Sequence, residues 1–330
     1  MENFINKITC DDALKTMKLL DDNSISLIVT SPPYWNLIDY GVDGQYGQCS
    51  YEEYLYQMLD IFKESARVLE PNGKIAYITP IVPVSKSVDS STHTRKLLNI
   101  SADIERKVLD SNLGLHRFSL YIWQKQTSKK MFGSYPYPPN IYEDNTIEFI
   151  NVLVKEGSPK KIPQEIKEYS KITQEEWLNM SMQIWPIMPT NINRKNAGGH
   201  PAPFPLEIPN RLIAMYTFRE VEELGFKGDI VLDMFNGSGS TTLSAYISKR
   251  RFIGIELNID YCNIARDRIA NINRDMARNL IIDKIKMPNK NNNNRMGRIG
   301  EEYKKELSQI IDRELKDPSI TGMISVTRVK

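Results

Sequence analysis

Short apolar runs alternate along the chain with segments of helical spacing. Ser26 to Thr30, Lys74 to Thr79, His116 to Trp123 and Glu148 to Val154 have the length and composition of buried strands. Between them, Tyr51 to Leu69 carries Tyr54, Leu55, Met58, Leu59, Phe62 and Ala66 on one helical face, and Pro71-Asn72-Gly73 is placed to stop it. Ile5 to Thr9 reads as a first strand, and Asp11 and Asp12 as acids in the first turn of a helix. Lys96 to Ser111 reads as a further helix. After a polar, irregular stretch at 157 to 195 the alternation resumes. Helices are predicted over Leu206 to Phe218, Ser240 to Ser248 and Asp260 to Met276, and strands over Asp229 to Asp233 and Phe252 to Glu256. Strand and helix in this order predict an α/β fold, a doubly wound and mostly parallel sheet covered by helices.

Composition narrows the picture further. The 330 residues are 41% hydrophobic and 25% charged, ordinary for a soluble globular protein. A net charge of +2 does not by itself indicate a nucleic-acid partner, although a basic face beside an acidic one remains compatible with it. Cys10, Cys49 and Cys262 are too few and too scattered for a disulfide framework or zinc site, and His93, His116 and His200 are too separated to suggest a metal. No secretion signal and no membrane-spanning run is read, so the expected location is the cytoplasm. The run Asn289 to Asn294 is a low-complexity linker. The expected organisation is therefore a main domain over 1–285 and a linker with an appended tail over 286–330.

Two loops carry candidate chemistry. In Val29-Thr-Ser-Pro-Pro-Tyr-Trp35 two prolines end a buried strand, because proline cannot continue its hydrogen-bonded ladder. The loop places a hydroxyl and two aromatic rings at the carboxyl edge of the sheet, where ligands bind in open α/β folds. By itself such a Pro-Pro-Tyr turn is more often structural. The second loop lies within Val231 to Thr242, a strand, a Gly-containing turn and a helix. Gly237 and Gly239 permit close ligand approach. Asp233 at the strand end can accept from a ligand ammonium, and Glu256, closing the next strand, sits where a carboxylate holds ribose hydroxyls. A dinucleotide fingerprint would require a third glycine where Thr242 stands, and the acid precedes the loop. Both departures favour a ligand with an amino-acid moiety.

With both loops in view, the sequence resembles the DNA amino-methyltransferases that use S-adenosyl-L-methionine. Val29 to Tyr34 is similar to the family's catalytic signature, and Asp233-x-Phe235-x-Gly237-x-Gly239 to its cofactor loop. Arg67 to Ile78 and His200 to Pro205 are similar to two further family segments. The resemblance implies a Rossmann-like methyltransferase fold with a small irregular target-recognition insertion. It implies a catalytic set of Ser31, Pro32, Pro33 and Tyr34. It assigns the cofactor to Asp12, His200, Phe204, Asp233, Phe235, Asn236, Gly237, Ser238, Gly239 and Glu256, with no metal. The catalytic loop precedes the cofactor loop, an order that resembles the beta group. A catalytic half (1–156), a recognition region (157–195) and a cofactor half (196–285) follow, with Ser85 to Arg95 and Gln126 to Tyr142 as further candidate recognition loops.

Serine at position 31 is the family's more frequent choice for the N4 amine of cytosine, aspartate for the N6 amine of adenine. The expected function is site-specific N4-cytosine methylation of double-stranded DNA in a restriction-modification system, with N6-adenine as the alternative. A protein or RNA methyltransferase fits less well because position 31 is not Asn. A non-catalytic nucleic-acid-binding protein is the remaining class. Arg295 to Lys330 resembles the opening of ribosome-binding factor A, yet covers too little of that fold to complete a core. Double-stranded DNA, a cognate restriction endonuclease and a second copy of the chain are the implied partners. Lys125, Lys129, Lys130, Lys160, Lys161, Arg194 and Lys195 read equally as a solvated face or as phosphate contacts. Gln183, Asn191, Asn193, Arg194 and Lys195 are chemically suited to read base edges.

Overall fold

The computed structural model of the chain describes residues 1–37, 41–84, 96–125, 132–189 and 204–272. His200, residues 85–95, Lys129, Lys130, Asn191, Asn193, Arg194, Lys195, residues 273–276 of the expected last helix and the tail lie outside the described residues.

The chain forms an eight-stranded sheet. Its strands are β1 (Lys7–Cys10), β2 (Ile25–Thr30), β3 (Leu69–Thr79), β6 (Leu115–Lys125), β9 (Ile147–Lys155), β10 (Ile184–Ile187), β11 (Ile230–Asp233) and β12 (Arg251–Glu256). Two short antiparallel pairs stand apart from it, β4 (Ile81–Pro83) with β5 (Leu97–Asn99) and β7 (Phe132–Gly133) with β8 (Ile141–Tyr142). The spatial order is β1-β12-β11-β2-β3-β9-β6-β10. All neighbours pair in parallel except at β9, which runs against both β3 and β6. The sheet is thus the expected mostly parallel one, and the reversal at β9 places the start of that strand beside the carboxyl ends of its neighbours.

Period-two alternation distributes the strand residues onto two faces. Ile28, Ile75, Tyr77, Leu232 and Ile253 join one buried cluster with Met17 of α1 (Ala13–Met17), Met58 and Phe62 of α2 (Tyr51–Val68), and Ile104 of α3 (Ile100–Leu109). Leu27, Val29, Ala76, Ile78, Val231 and Phe252 join the other. There they meet Ile208 and Leu212 of α6 (Glu207–Tyr216), Ala245 of α7 (Ser240–Ile247), and Cys262 and Ala265 of α8 (Ile259–Ala270). Helices therefore cover both faces, as the double winding requires.

Local sequence explains the boundaries. Ser50 and Glu53 form a reciprocal capping box at the start of α2. Asp12 acts as the N-cap of α1, its Oδ1 accepting from the Lys15 N–H at 2.8 Å, so it lies before the first turn where the sequence put it. Asn72 adopts φ 64°, the left-handed turn that Asn tolerates. The expected helix from Lys96 begins only at Ile100, because Leu97–Asn99 pair with Ile81–Pro83.

The larger correction concerns 157 to 189. This stretch holds α4 (Gln164–Tyr169), α5 (Gln174–Met180) and β10, which extends the main sheet. Trp185 of β10 is fully buried, stacked on Tyr121 at 4.5 Å, with its indole N–H donating to the Met180 carbonyl at 3.2 Å. Lys160 is also committed to the fold. It pairs with Glu70 at 2.9 Å and with Asp229, and donates to Ser26 Oγ at 3.0 Å, which removes it from the candidate phosphate contacts.

Candidate active site

A cleft opens at the carboxyl edge where β1, β2, β11 and β12 end. Asp12, Ser31, Pro33, Tyr34, Phe204, Phe235, Asn236, Gly237, Ser238 and Glu256 line it. Residues far apart in sequence thus come together as the two loops require. Pro32, Asp233 and Gly239 do not reach the wall.

The glycine loop is shaped from below and behind. Gly237 (φ 48°) and Gly239 (φ 84°) both take the left-handed conformation. A Cβ on Gly239 would lie 2.8 Å from the Ala265 Cβ, so α8 can pack this close only against glycine. The Gly237 N–H donates to Glu256 Oε2 and the Asn258 N–H to Oε1, both at 2.8 Å. Each carboxylate oxygen keeps further lone pairs for a ligand on the cleft side. Burial raises the Glu256 carboxyl above the ordinary value, opposed by those backbone N–H groups. Arg268, buried in α8, donates to the Ser238 carbonyl, and burial lowers its guanidinium to about 10.

Asp233 is fully buried beneath the loop. Its Oδ1 accepts from Thr30 Oγ1 at 2.7 Å and from the Phe235 N–H at 3.1 Å, tying the catalytic strand to the glycine loop. Its Oδ2 and the Asn236 Nδ2 are buried without a hydrogen-bond partner among the described residues. Burial, aided by the nearby Glu256 charge, pushes Asp233 up to about 6 against the hydroxyls of Thr30 and Thr241 and the Phe235 N–H. An orphaned acceptor and an orphaned donor under one loop fit a ligand that carries both an ammonium and a carboxylate.

The opposite wall holds the Ser-Pro-Pro-Tyr loop. Ser31 Oγ lies 2.9 Å from Tyr34 Oη and 3.3 Å from the Ile78 carbonyl. The Tyr34 hydroxyl donates to Glu148 Oε2 at 3.0 Å, and Lys125 Nζ donates to Glu148 Oε1 at 3.0 Å. Tyr54 donates to the Pro33 carbonyl at 2.8 Å, anchoring the loop to α2. Lys125, like Lys160, already has a buried carboxylate partner.

Two of these residues escaped the sequence reading. Tyr46 packs edge-on against Phe235 (5.5 Å between centroids) and donates to Asp12 Oδ2 at 3.0 Å, joining the acid that caps α1 to the glycine loop. No periodicity marks it. Glu148 did carry a signal, an acid near the start of an apolar strand. Only the reversed direction of β9 places it beside Tyr34.

Comparison with known proteins bears on the family and the fold. Residues 25–267 match the family model described as DNA methylase. The type II methyltransferase M.MjaI of Methanocaldococcus jannaschii is 30% identical, over 80% of this chain and 91% of its own. The type II beta methyltransferase M.BslI of Bacillus sp. is 28% identical over 81% of this chain, which spans only 28% of that longer protein. A Thermus thermophilus protein, described as a candidate DNA modification methylase and solved with S-adenosyl-L-methionine, superposes with a TM-score of 0.64 at 29% identity. That match covers 80% of this chain and 93% of the other.

Proposed function

Because the chain belongs to the DNA methylase family, we propose that it methylates the N4 amine of cytosine in double-stranded DNA at one short target, as the modification partner of a restriction endonuclease. Its cofactor is S-adenosyl-L-methionine, the ligand of the solved Thermus relative. The observation that carries the reading is the convergence of Ser31 and Tyr34 with Phe235 and Glu256 on one cleft.

The cofactor, when bound, supplies a sulfonium methyl already activated for transfer. The protein's own residues bind, orient and exclude. Glu256, with lone pairs left on both oxygens, accepts from the ribose hydroxyls, and Asp12 faces the adenine side. Phe235 and Phe204 wall the methionine portion. The partnerless Oδ2 of Asp233 is assigned as the acceptor for its ammonium. An exocyclic amine is a poor nucleophile because its lone pair is delocalised into the ring. The site must therefore hold the extruded base with its nitrogen in line with the methyl. Ser31 Oγ accepts from the amine N–H while Tyr34 offers a stacking face. The Pro32 carbonyl is the second acceptor by family resemblance, although Pro32 itself is buried behind the wall. The new N–C bond forms as the C–S bond breaks, and the amine proton leaves to solvent.

Beta-group order is supported by the catalytic loop preceding the glycine loop, and M.BslI carries that group's name. Base-edge recognition is assigned to 157–195, to which the edge strand β10 belongs, with a second copy of the chain adding contacts. The main domain extends to about 285 on this reading.

Mass spectrometry of nucleosides tests the base assignment. DNA from a host without other methylases should gain N4-methylcytosine when this protein is expressed. N6-methyladenine in its place would refute cytosine and keep the cofactor site; neither product would refute the function.

A further inference from the structure

Glu148 lies outside every motif that the sequence or the family resemblance singles out, yet it is buried and in direct contact with the catalytic loop. Four side chains form a chain from the cleft to the end of β6: Ser31, Tyr34, Glu148 and Lys125. The direction of its hydrogen bonds can be worked out by counting protons. Lys125 is a donor only, and an ionised carboxylate accepts only. The Tyr34 hydroxyl has a single proton, and at 3.0 Å from Glu148 Oε2 that proton is given to the carboxylate. Tyr34 Oη therefore meets Ser31 as an acceptor. Ser31 has one proton too, and both of its protein neighbours, Tyr34 Oη at 2.9 Å and the Ile78 carbonyl at 3.3 Å, now demand it. Tyr34 Oη, within ordinary O–H···O distance where the Ile78 carbonyl lies beyond it, takes the proton, and the Ser31 hydroxyl has none left to offer the cleft.

We infer that Glu148, clamped by Lys125, is a positioning residue that fixes Ser31 as a hydrogen-bond acceptor. The site then receives a base edge bearing an N–H donor and refuses one bearing a carbonyl. A serine free to rotate could serve either edge, because a hydroxyl both donates and accepts. The polarity imposed from Glu148 removes that ambiguity. It supplies at position 31, with a neutral side chain, the acceptor-only behaviour of a carboxylate. The inference rests on the proposal that Ser31 meets the target amine.

Glu148→Gln tests it without changing size. The Lys125 ammonium would draw the new amide oxygen, turning the amide N–H₂ toward Tyr34. Tyr34 would then accept from the amide and donate to Ser31, reversing the chain. Single-turnover methyl transfer at saturating DNA and cofactor should slow by about tenfold or more, equivalent to at least about 1.4 kcal/mol of barrier. Cofactor affinity by calorimetry should not move. Adding Lys125→Met frees the amide to rotate its oxygen back to Tyr34, and the double variant should recover most of the lost rate. A structural prop predicts the opposite, further loss on removal of a second buried partner.

Tyr34→Phe keeps the ring, leaves the Glu148–Lys125 pair intact and cuts the chain, so it should also slow transfer if the Gln variant fails to fold. Wild-type rate in Glu148→Gln or Tyr34→Phe overturns the inference, as does a double variant slower than the single one. Ser31→Ala run in parallel separates the two layers. Full turnover there sinks the role of Ser31 itself, whereas a slow Ser31→Ala beside a fast Glu148→Gln sinks only the role of Glu148.

Discussion

The sheet's carboxyl edge has two unlike ends. Around β11 and β12 the polar atoms are nearly all paired within the fold. Thr241 donates to the Val29 carbonyl, Thr242 to Asn236, Ser240 to the Phe204 carbonyl, and backbone N–H groups hold Glu256. Around β6, β9 and β10 the chain instead bares large apolar side chains. Tyr135, Tyr137 and Ile141 of the β7–β8 hairpin are 73%, 72% and 76% exposed, and Met188, just past the end of β10, is 65% exposed. The first end is a preformed pocket, with two orphaned polar groups buried beneath its loop. The second has the character of a surface that a large partner covers. On the proposed function these are the cofactor end and the DNA end, with Ser31 and Tyr34 between them.

That contrast yields graded predictions. The largest effect should come from Glu256→Ala, which removes the proposed ribose acceptors and leaves the N–H groups of Gly237 and Asn258 without their carboxylate partner. Cofactor affinity should fall by about 100-fold, roughly 3 kcal/mol. Unchanged affinity in calorimetry would break the assignment of the cofactor end.

Next is the pH dependence carried by Asp233. Its folded value is raised from 3.8 to about 6, so the native protein binds the proton more tightly than the unfolded chain does. The associated stability is present below the ordinary value and lost as pH rises through about 6, on the order of 2 kcal/mol. Cofactor-free wild type should therefore lose stability relative to Asp233→Asn between about pH 4 and pH 7. A difference that stays constant with pH would show that Asp233 is not held in this protonated form.

At the other end, exchanging residues 157–195 for those of a relative of known target should change the methylated sequence and leave the modified base alone. An unaltered target would move recognition to the 126–142 loop. The smallest effect is expected from Tyr135→Ser with Tyr137→Ser. Stability and cofactor affinity should hold, while the KM for DNA rises by less than about tenfold. No change in KM would remove the hairpin from the DNA surface.

The two ends also differed in how legible they were. Glycines, a strand-end acid and a second acid in register are local signals, so the strand, turn and helix of the β11–β12 wall could be read directly. What lies behind that wall could not. Asp233 reads as a ligand contact, and only the packing of α7 and α8 shows its side chain buried below the loop. At the far end, Ile184-Trp-Pro-Ile187 is too short and too proline-broken to announce a strand. Proline is tolerated there because, among the described residues, β10 is the edge of the sheet. The direction of β9 was equally hidden, since an apolar run looks the same read either way. Glu148 was lost with it.

The central claim is that one cleft divides its work, with Glu256 holding cofactor and Ser31 meeting the base. Its most direct test is the single-turnover rate of methyl transfer from tritium-labelled S-adenosyl-L-methionine to duplex DNA by Ser31→Ala at saturating cofactor. The account predicts a loss on the order of 100-fold, comparable to removing one preorganised polar contact from a reacting group, with cofactor affinity intact. A Ser31→Ala protein that transfers methyl at the wild-type rate would contradict it.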